Sequence, residues 1–172
     1  MPISTAARFG GVSLAAALLV GLGVAWADSP HFVSATDTLQ SDGDLLFQWK
    51  EAGLGSAVTV DYTASADAQA TCFCVTSSGN CPSAANKTTT SGVVSASGSF
   101  TSTKAGNING SLTVQPPSCP SSAPPTCPGG QTLKLGDVVY SDITLLDTTN
   151  NINANISPTS ASATFFTCPS KK

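Results

Sequence analysis

Residues 58–74 read VTVDYTASADAQATCFC, and their alternation decides the fold class. Even positions are apolar or small (Val58, Val60, Tyr62, Ala64, Ala66, Ala68, Ala70, Cys72, Cys74), whereas odd ones carry Thr59, Asp61, Thr63, Ser65, Asp67, Gln69, Thr71 and Phe73. A period of two sends successive side chains to opposite faces of an extended chain, leaving one face buried and one wet. The run is long for one strand, so a bend or tight connection near 65–68 is expected to divide it. The alanines there let a neighbouring sheet approach closely.

Other segments repeat the pattern. Leu45, Phe47 and Trp49 alternate against Leu46, Gln48 and Lys50, which points Trp49 inward as a core anchor. Val94, Ala96, Gly98 and Phe100 alternate against hydroxyl residues, Lys104-Ala105-Gly106-Asn107 has turn composition, and Ile108, Gly110, Leu112 and Val114 resume the alternation, which reads as a hairpin. Leu133 and Leu135 precede Gly136-Asp137; Val138 and Tyr140 then hold one phase and Ile143 and Leu145 the other, so a bulge or turn is expected near Ser141-Asp142. Ala161, Ala163 and Phe165 mark a last strand. No segment has a helical period of useful length. About seven to nine short strands with intervening turns point to an all-β fold, an antiparallel sandwich of immunoglobulin-like type, with a closed barrel as the alternative. The segment 116–130, with six prolines and two cysteines, is a loop, because proline lacks the ladder donor.

The N-terminus reads as an export signal over 1–27. Arg8 is the basic element, residues 12–24 are uncharged and mostly apolar, and Ala25-Trp26-Ala27 is a small-x-small cleavage site. The apolar run is shorter than the roughly 20 residues needed to span a bilayer, so no membrane span is expected after cleavage. The remainder, 28–172, has the size of one domain. It carries no arginine, and six lysines against ten acidic residues leave it a formal charge of about −4. These charges are scattered, which argues against nucleic acid and against anionic membrane surfaces, since both need concentrated basic patches. Outside the cytosol an even set of six cysteines reads as a disulfide framework. Cys72 and Cys74 share a strand face about 7 Å apart and point the same way, so each needs a distant partner. A zinc or redox site is disfavoured by a single histidine and by Cys-x-Cys spacing.

Trp49-Lys50-Glu51-Ala52-Gly53-Leu54-Gly55, Tyr62-Thr63-Ala64-Ser65-Ala66-Asp67-Ala68, Ala84-Ala85-Asn86-Lys87, Val94-Ser95-Ala96-Ser97-Gly98 and Cys127-Pro128-Gly129-Gly130-Gln131-Thr132-Leu133 resemble segments of small secreted proteins of actinomycete-like bacteria with no assigned function. The resemblance spans most of 28–172 and carries over no catalytic residue. It implies a Cys74–Cys127 bond, with Cys72, Cys81, Cys119 and Cys168 additional in this chain. With that pair set, the expected partners of the others are Cys72 with Cys81 and Cys119 with Cys168.

Catalytic constellations are lacking in the sequence. Acid/base hydrolysis needs two converging carboxylates, yet most of the acidic residues fall at turns or on wet strand phases, and no pair is singled out. No G-x-S-x-G elbow accompanies the lone His31, which reads as a surface residue near the start of the domain. Asp42-Gly43-Asp44 reads as a turn rather than a calcium loop. Phe73, on the otherwise polar phase of its strand, is the candidate for ligand contact, unless a loop covers it. The expectation is a non-catalytic extracellular binding or adhesion module for carbohydrate or protein, without metal or cofactor. The alternatives are a structural or interaction protein of the envelope or spore surface, and a hydrolase or inhibitor.

Overall fold

The computed structural model describes residues 29–81, 87–119 and 127–169; the expected export signal at 1–27 lies outside them, as do 84–86 of the AANK segment and the centre of the proline-rich loop. The described residues form eight strands: β1 (His31–Leu39), β2 (Leu45–Ala52), β3 (Thr59–Thr76), β4 (Lys87–Thr101), β5 (Ile108–Val114), β6 (Gln131–Asp147), β7 (Ile152–Asn153) and β8 (Ala161–Thr164). They are organised as two antiparallel sheets. One has the order β1-β2-β5; the other runs β4-β3-β6-β7, with β8 also pairing β6. The chain crosses between sheets at β2–β3, β4–β5 and β5–β6, so neighbours in sequence are parted and the layers are laced together.

The alternation specifies which side chains fill the space between the layers. Leu45, Phe47 and Trp49 of β2 face Val60, Tyr62, Ala64, Ala66, Ala68 and Ala70 of β3 and Val138, Tyr140, Ile143 and Leu145 of β6, all at most 4% exposed. Aromatic rings close one end, with Trp49 and Tyr62 centroids 4.8 Å apart and Trp49 and Phe100 edge-on at 5.1 Å. Gly110 on β5 leaves room for the Trp49 indole, which would collide with any Cβ there.

Two strand expectations are corrected. The 58–74 run is not divided, because β3 continues unbroken from Thr59 to Thr76. The adjustment is made on its partner β6, where the register slips opposite Ser65/Asp67 and again opposite Ala70/Cys72. Asp142, at φ +51°, sits at the first slip, where the change of phase placed it. Residues 94–114 are not a hairpin. The turn forms as expected, closed by Thr103 N–H to Asn107 O at 2.9 Å, but β4 pairs with β3 and β5 with β2. Ser102 directs the crossing: its hydroxyl donates to Gly55 O at 2.7 Å and accepts from Val58 N–H at 2.9 Å, anchoring the turn to the β2–β3 connection.

All six cysteines are bonded, as Cys72–Cys119, Cys74–Cys127 and Cys81–Cys168. The pair implied by the family resemblance forms; Cys72–Cys81 and Cys119–Cys168 do not. The two buried cysteines of β3 share one face, and their partners, Cys119 and Cys127, stand close together in sequence. Cys81, just beyond the end of β3, is left beside the C-terminal tail and Cys168. Three disulfides indicate an oxidising, extracellular-type environment. Among the described residues no helix is long and apolar enough to cross a membrane.

Candidate functional site

Two surroundings concentrate chemistry, one between the sheets and one on the outside. The inner one begins with Glu51, which continues the inward phase of Leu45, Phe47 and Trp49, and with Asp147, which continues that of Ile143 and Leu145. Both side chains are 0% exposed. Asp147 is the cross-strand neighbour of Tyr62. The Tyr62 hydroxyl donates to Glu51 Oε2 at 2.6 Å, and Asp147 accepts from Asn150 N–H at 2.8 Å and from Asn150 Nδ2 at 2.6 Å. Burial pushes the Glu51 carboxyl up to about 7; the Tyr62 bond opposes the shift and the adjacent Asp147 adds to it. Glu51 Oε1 has no donor of its own. A proton held on Glu51 keeps this carboxyl neutral in its buried position, while the oxygens of Asp147 are filled by Asn150. Burial, reinforced by Glu51, likewise pushes the Tyr62 hydroxyl up.

These are two neighbouring buried carboxyls, and the sequence reading did not single them out. The signal was present: each is the only charged residue on the inward phase of its strand. Both are fully enclosed, and the Tyr62–Glu51 bond ties the two sheets together at one end of the sandwich.

The outer surrounding is the exposed face of the β4-β3-β6 sheet. Odd residues of β3 and their cross-strand partners form a lattice of hydroxyls: Thr59–Thr101 at 3.3 Å, Thr63–Ser97 at 2.9 Å, Ser65–Thr144 at 2.8 Å and Thr71–Thr89 at 3.3 Å. Ser99 donates to the Asp61 carboxylate within the same array. At its middle is an open depression of about 470 Å³ lined by Asp67, Gln69, Ser91, Val93, Val139 and Ser141. Val93 is 76% and Val139 44% exposed. A carboxylate, a carboxamide and hydroxyls thus surround two small apolar surfaces.

Phe73 lies at one end of this face, half-buried rather than free. It packs over Gly136, where a Cβ would collide with its ring, and faces Phe166 of the C-terminal tail at 6.1 Å between centroids. Lys87 lies over the same ring at 5.5 Å. His31 is exposed at the start of β1, with Nδ1 2.8 Å from Ser29 O. Asp42-Gly43-Asp44 forms the β1–β2 turn, in which Asp42 Oδ1 accepts from Asp44 N–H at 3.1 Å. Among the described residues no group of three or more His, Cys, Asp or Glu is arranged to hold a metal ion.

No protein-family model and no curated protein matches the chain. Among solved structures it is similar to Spo0M, a sporulation control protein from Bacillus subtilis, at 12% identity and a TM-score of 0.23, over 82% of this chain and 48% of that one. The chain therefore spans about half the length of that protein, and a likeness of this degree carries no functional argument.

Proposed function

We propose that this is a secreted, non-catalytic binding or adhesion module that engages extracellular carbohydrate through the outer face of β4, β3 and β6. The observation that carries the reading is the depression between Asp67, Gln69, Ser91 and Ser141, in which polar groups flank the exposed Val93 and Val139. Sugars present hydroxyls at their edges and C–H groups on their faces, and this pairing of side chains suits both. Cross-strand hydroxyl bonds hold the surrounding surface in one geometry before any ligand arrives, which lowers the ordering cost of binding. The two-sheet arrangement and its inter-sheet crossings support the immunoglobulin-like subtype, a frame that commonly displays such surfaces.

The test is co-sedimentation of residues 28–172 with insoluble chitin, cellulose and the producer's own cell walls, eluted with competing soluble sugar. Retention displaced by sugar and lost in Gln69→Ala/Ser91→Ala is the expected result; no retention on any of the three overturns the carbohydrate reading. The second reading, an interaction protein of the envelope or spore surface, draws its support from the open edge of β4.

A further inference from the structure

Strand β4 is the outermost strand of its sheet, and among the described residues nothing pairs with its far side. It runs from Lys87 to Thr101 in unbroken register with β3, from Phe73↔Lys87 to Thr59↔Thr101. None of its residues is fully buried, and a Cβ built at Gly92 would meet no atom within 4 Å. Natural edges are blunted by charges, prolines, bulges or shortness. The other edges of the molecule follow this rule. β1 carries His31 and Asp37 and a register slip between Phe32 and Ser34, while β5 and β8 have only 7 and 4 residues. β4 has none of these devices: after Lys87 no charge or proline occurs up to Thr101.

We propose that β4 is a self-association edge, pairing antiparallel with β4 of a second copy about a two-fold axis at Val93. Opposed residues of antiparallel strands share a face, so this register sets Val93 against its own copy and Ser91 against Ser95. It packs the edge side of the most exposed large apolar side chain of the described surface, at 76%, against its own copy and leaves the outward side of that side chain in the depression. It also sets Lys87 opposite Ser99 of the second copy, whose hydroxyl holds the Asp61 carboxylate one strand further in. Neighbouring strands are about 4.8 Å apart, so Asp61 comes within reach of the lysine once its ammonium swings from the Phe73 ring of its own copy toward the edge, and the two-fold repeats this attraction at both ends. A foreign peptide would match the backbone edge equally well, but it would need its own cation at the Asp61 end. A second copy has one in register. The outcome is one continuous outer sheet with two depressions, a bivalent surface whose avidity exceeds that of either half.

The test is the mass of residues 28–172 by sedimentation equilibrium from micromolar to millimolar concentration, without any ligand, so it is independent of the carbohydrate reading. A reversible dimer is expected. Val93→Glu should yield monomer, because it sets like charges on the axis beside Asp67, whereas Val139→Glu, on the same face away from the edge, should leave the dimer intact. Lys87→Glu should weaken the dimer at least tenfold, and Lys87→Glu/Asp61→Lys should restore it. A monomer throughout the range, or a dimer indifferent to Val93→Glu, overturns the proposal; a dimer indifferent to Lys87→Glu overturns the register.

Discussion

The Tyr62 hydroxyl reaches across the gap between the two sheets and donates to the Glu51 carboxyl at 2.6 Å. Asp147 of β6 is the cross-strand neighbour of Tyr62, and Glu51, Tyr62 and Asp147 are all fully buried. Burial disfavours the charged form of Glu51, because an unpaired buried charge is far costlier than a neutral carboxyl.

A pH dependence follows. An unfolded Glu51 titrates near 4.5, whereas in the folded protein burial holds it up to about 7. Between these values the native state keeps a proton that the unfolded chain has released, so stability falls as pH rises through this interval and levels off above it. The Glu51 contribution, complete below about pH 4.5, is on the order of 3 kcal/mol. Thermal unfolding from pH 4 to 9 should show this decline in the wild type and a flatter profile in Glu51→Gln, which cannot ionise. Parallel profiles would remove Glu51 as the cause.

The disulfide pattern gives a second expectation. Cys74 and Cys127 are 53 residues apart in sequence, and closing a loop of that length stabilises by about 4 kcal/mol in the chain-entropy account. Cys74→Ala/Cys127→Ala should lose about that much by denaturant titration. A non-reducing digest of the wild type should yield linked peptides for Cys72–Cys119, Cys74–Cys127 and Cys81–Cys168 and no free thiol. A Cys72–Cys81 peptide would contradict the fold around β3.

How far the sequence carried this picture depends on which physical quantity it encodes. Alternation encodes which face each residue takes, and so the core from Val60 to Ala70, the inward Trp49 and the slip at Asp142 were all legible. It carried Glu51 and Asp147 as well, since both stay in phase with the apolar residues before them. Alternation does not encode which strands become neighbours. The placement of β4 and β5 in different sheets depends on Ser102 meeting Gly55 and Val58, contacts between residues more than 40 apart. Two of the three disulfide partners were misassigned for the same reason. The outer depression was half legible: Asp67 and Gln69 lay on the wet phase of β3, but their meeting with Ser91 and Val139 required the register of both neighbouring strands.

Two glycines on neighbouring sheets should respond oppositely to an added methyl. At Gly110 the space is filled by the Trp49 indole, so Gly110→Ala must displace the largest ring of the core and should cost about 1–3 kcal/mol. At Gly92 there is no neighbour within 4 Å and no positive φ, so Gly92→Ala should be neutral or slightly stabilising through the unfolded chain. Chemical denaturation midpoints of the two variants distinguish these outcomes; equal shifts would mean that Trp49 is not seated under Gly110.

The opposite end of the sandwich from Glu51 is held by a hydrogen bond from the Tyr140 hydroxyl to Gly43 O at 2.8 Å, buried between β6 and the β1–β2 turn. Burial pushes this hydroxyl up, the nearby Asp44 and Asp42 adding to the effect, so it remains a donor across the physiological range. Tyr140→Phe keeps the ring and its packing but strands the Gly43 carbonyl, a loss of about 1–3 kcal/mol. Gly43 itself stands at φ +97°, and a Cβ there would come within 2.8 Å of Leu135 Cδ2. Gly43→Ala should therefore destabilise more than Tyr140→Phe, because it strains the backbone and crowds β6 while also displacing the acceptor. Since both substitutions act on one contact, the double variant should cost less than the sum of the two, and hydrogen exchange at the Gln40 amide, which closes this turn onto Asp44 O at 2.8 Å, should accelerate in all three. Strict additivity would show that the tyrosine and the turn are not coupled through this bond.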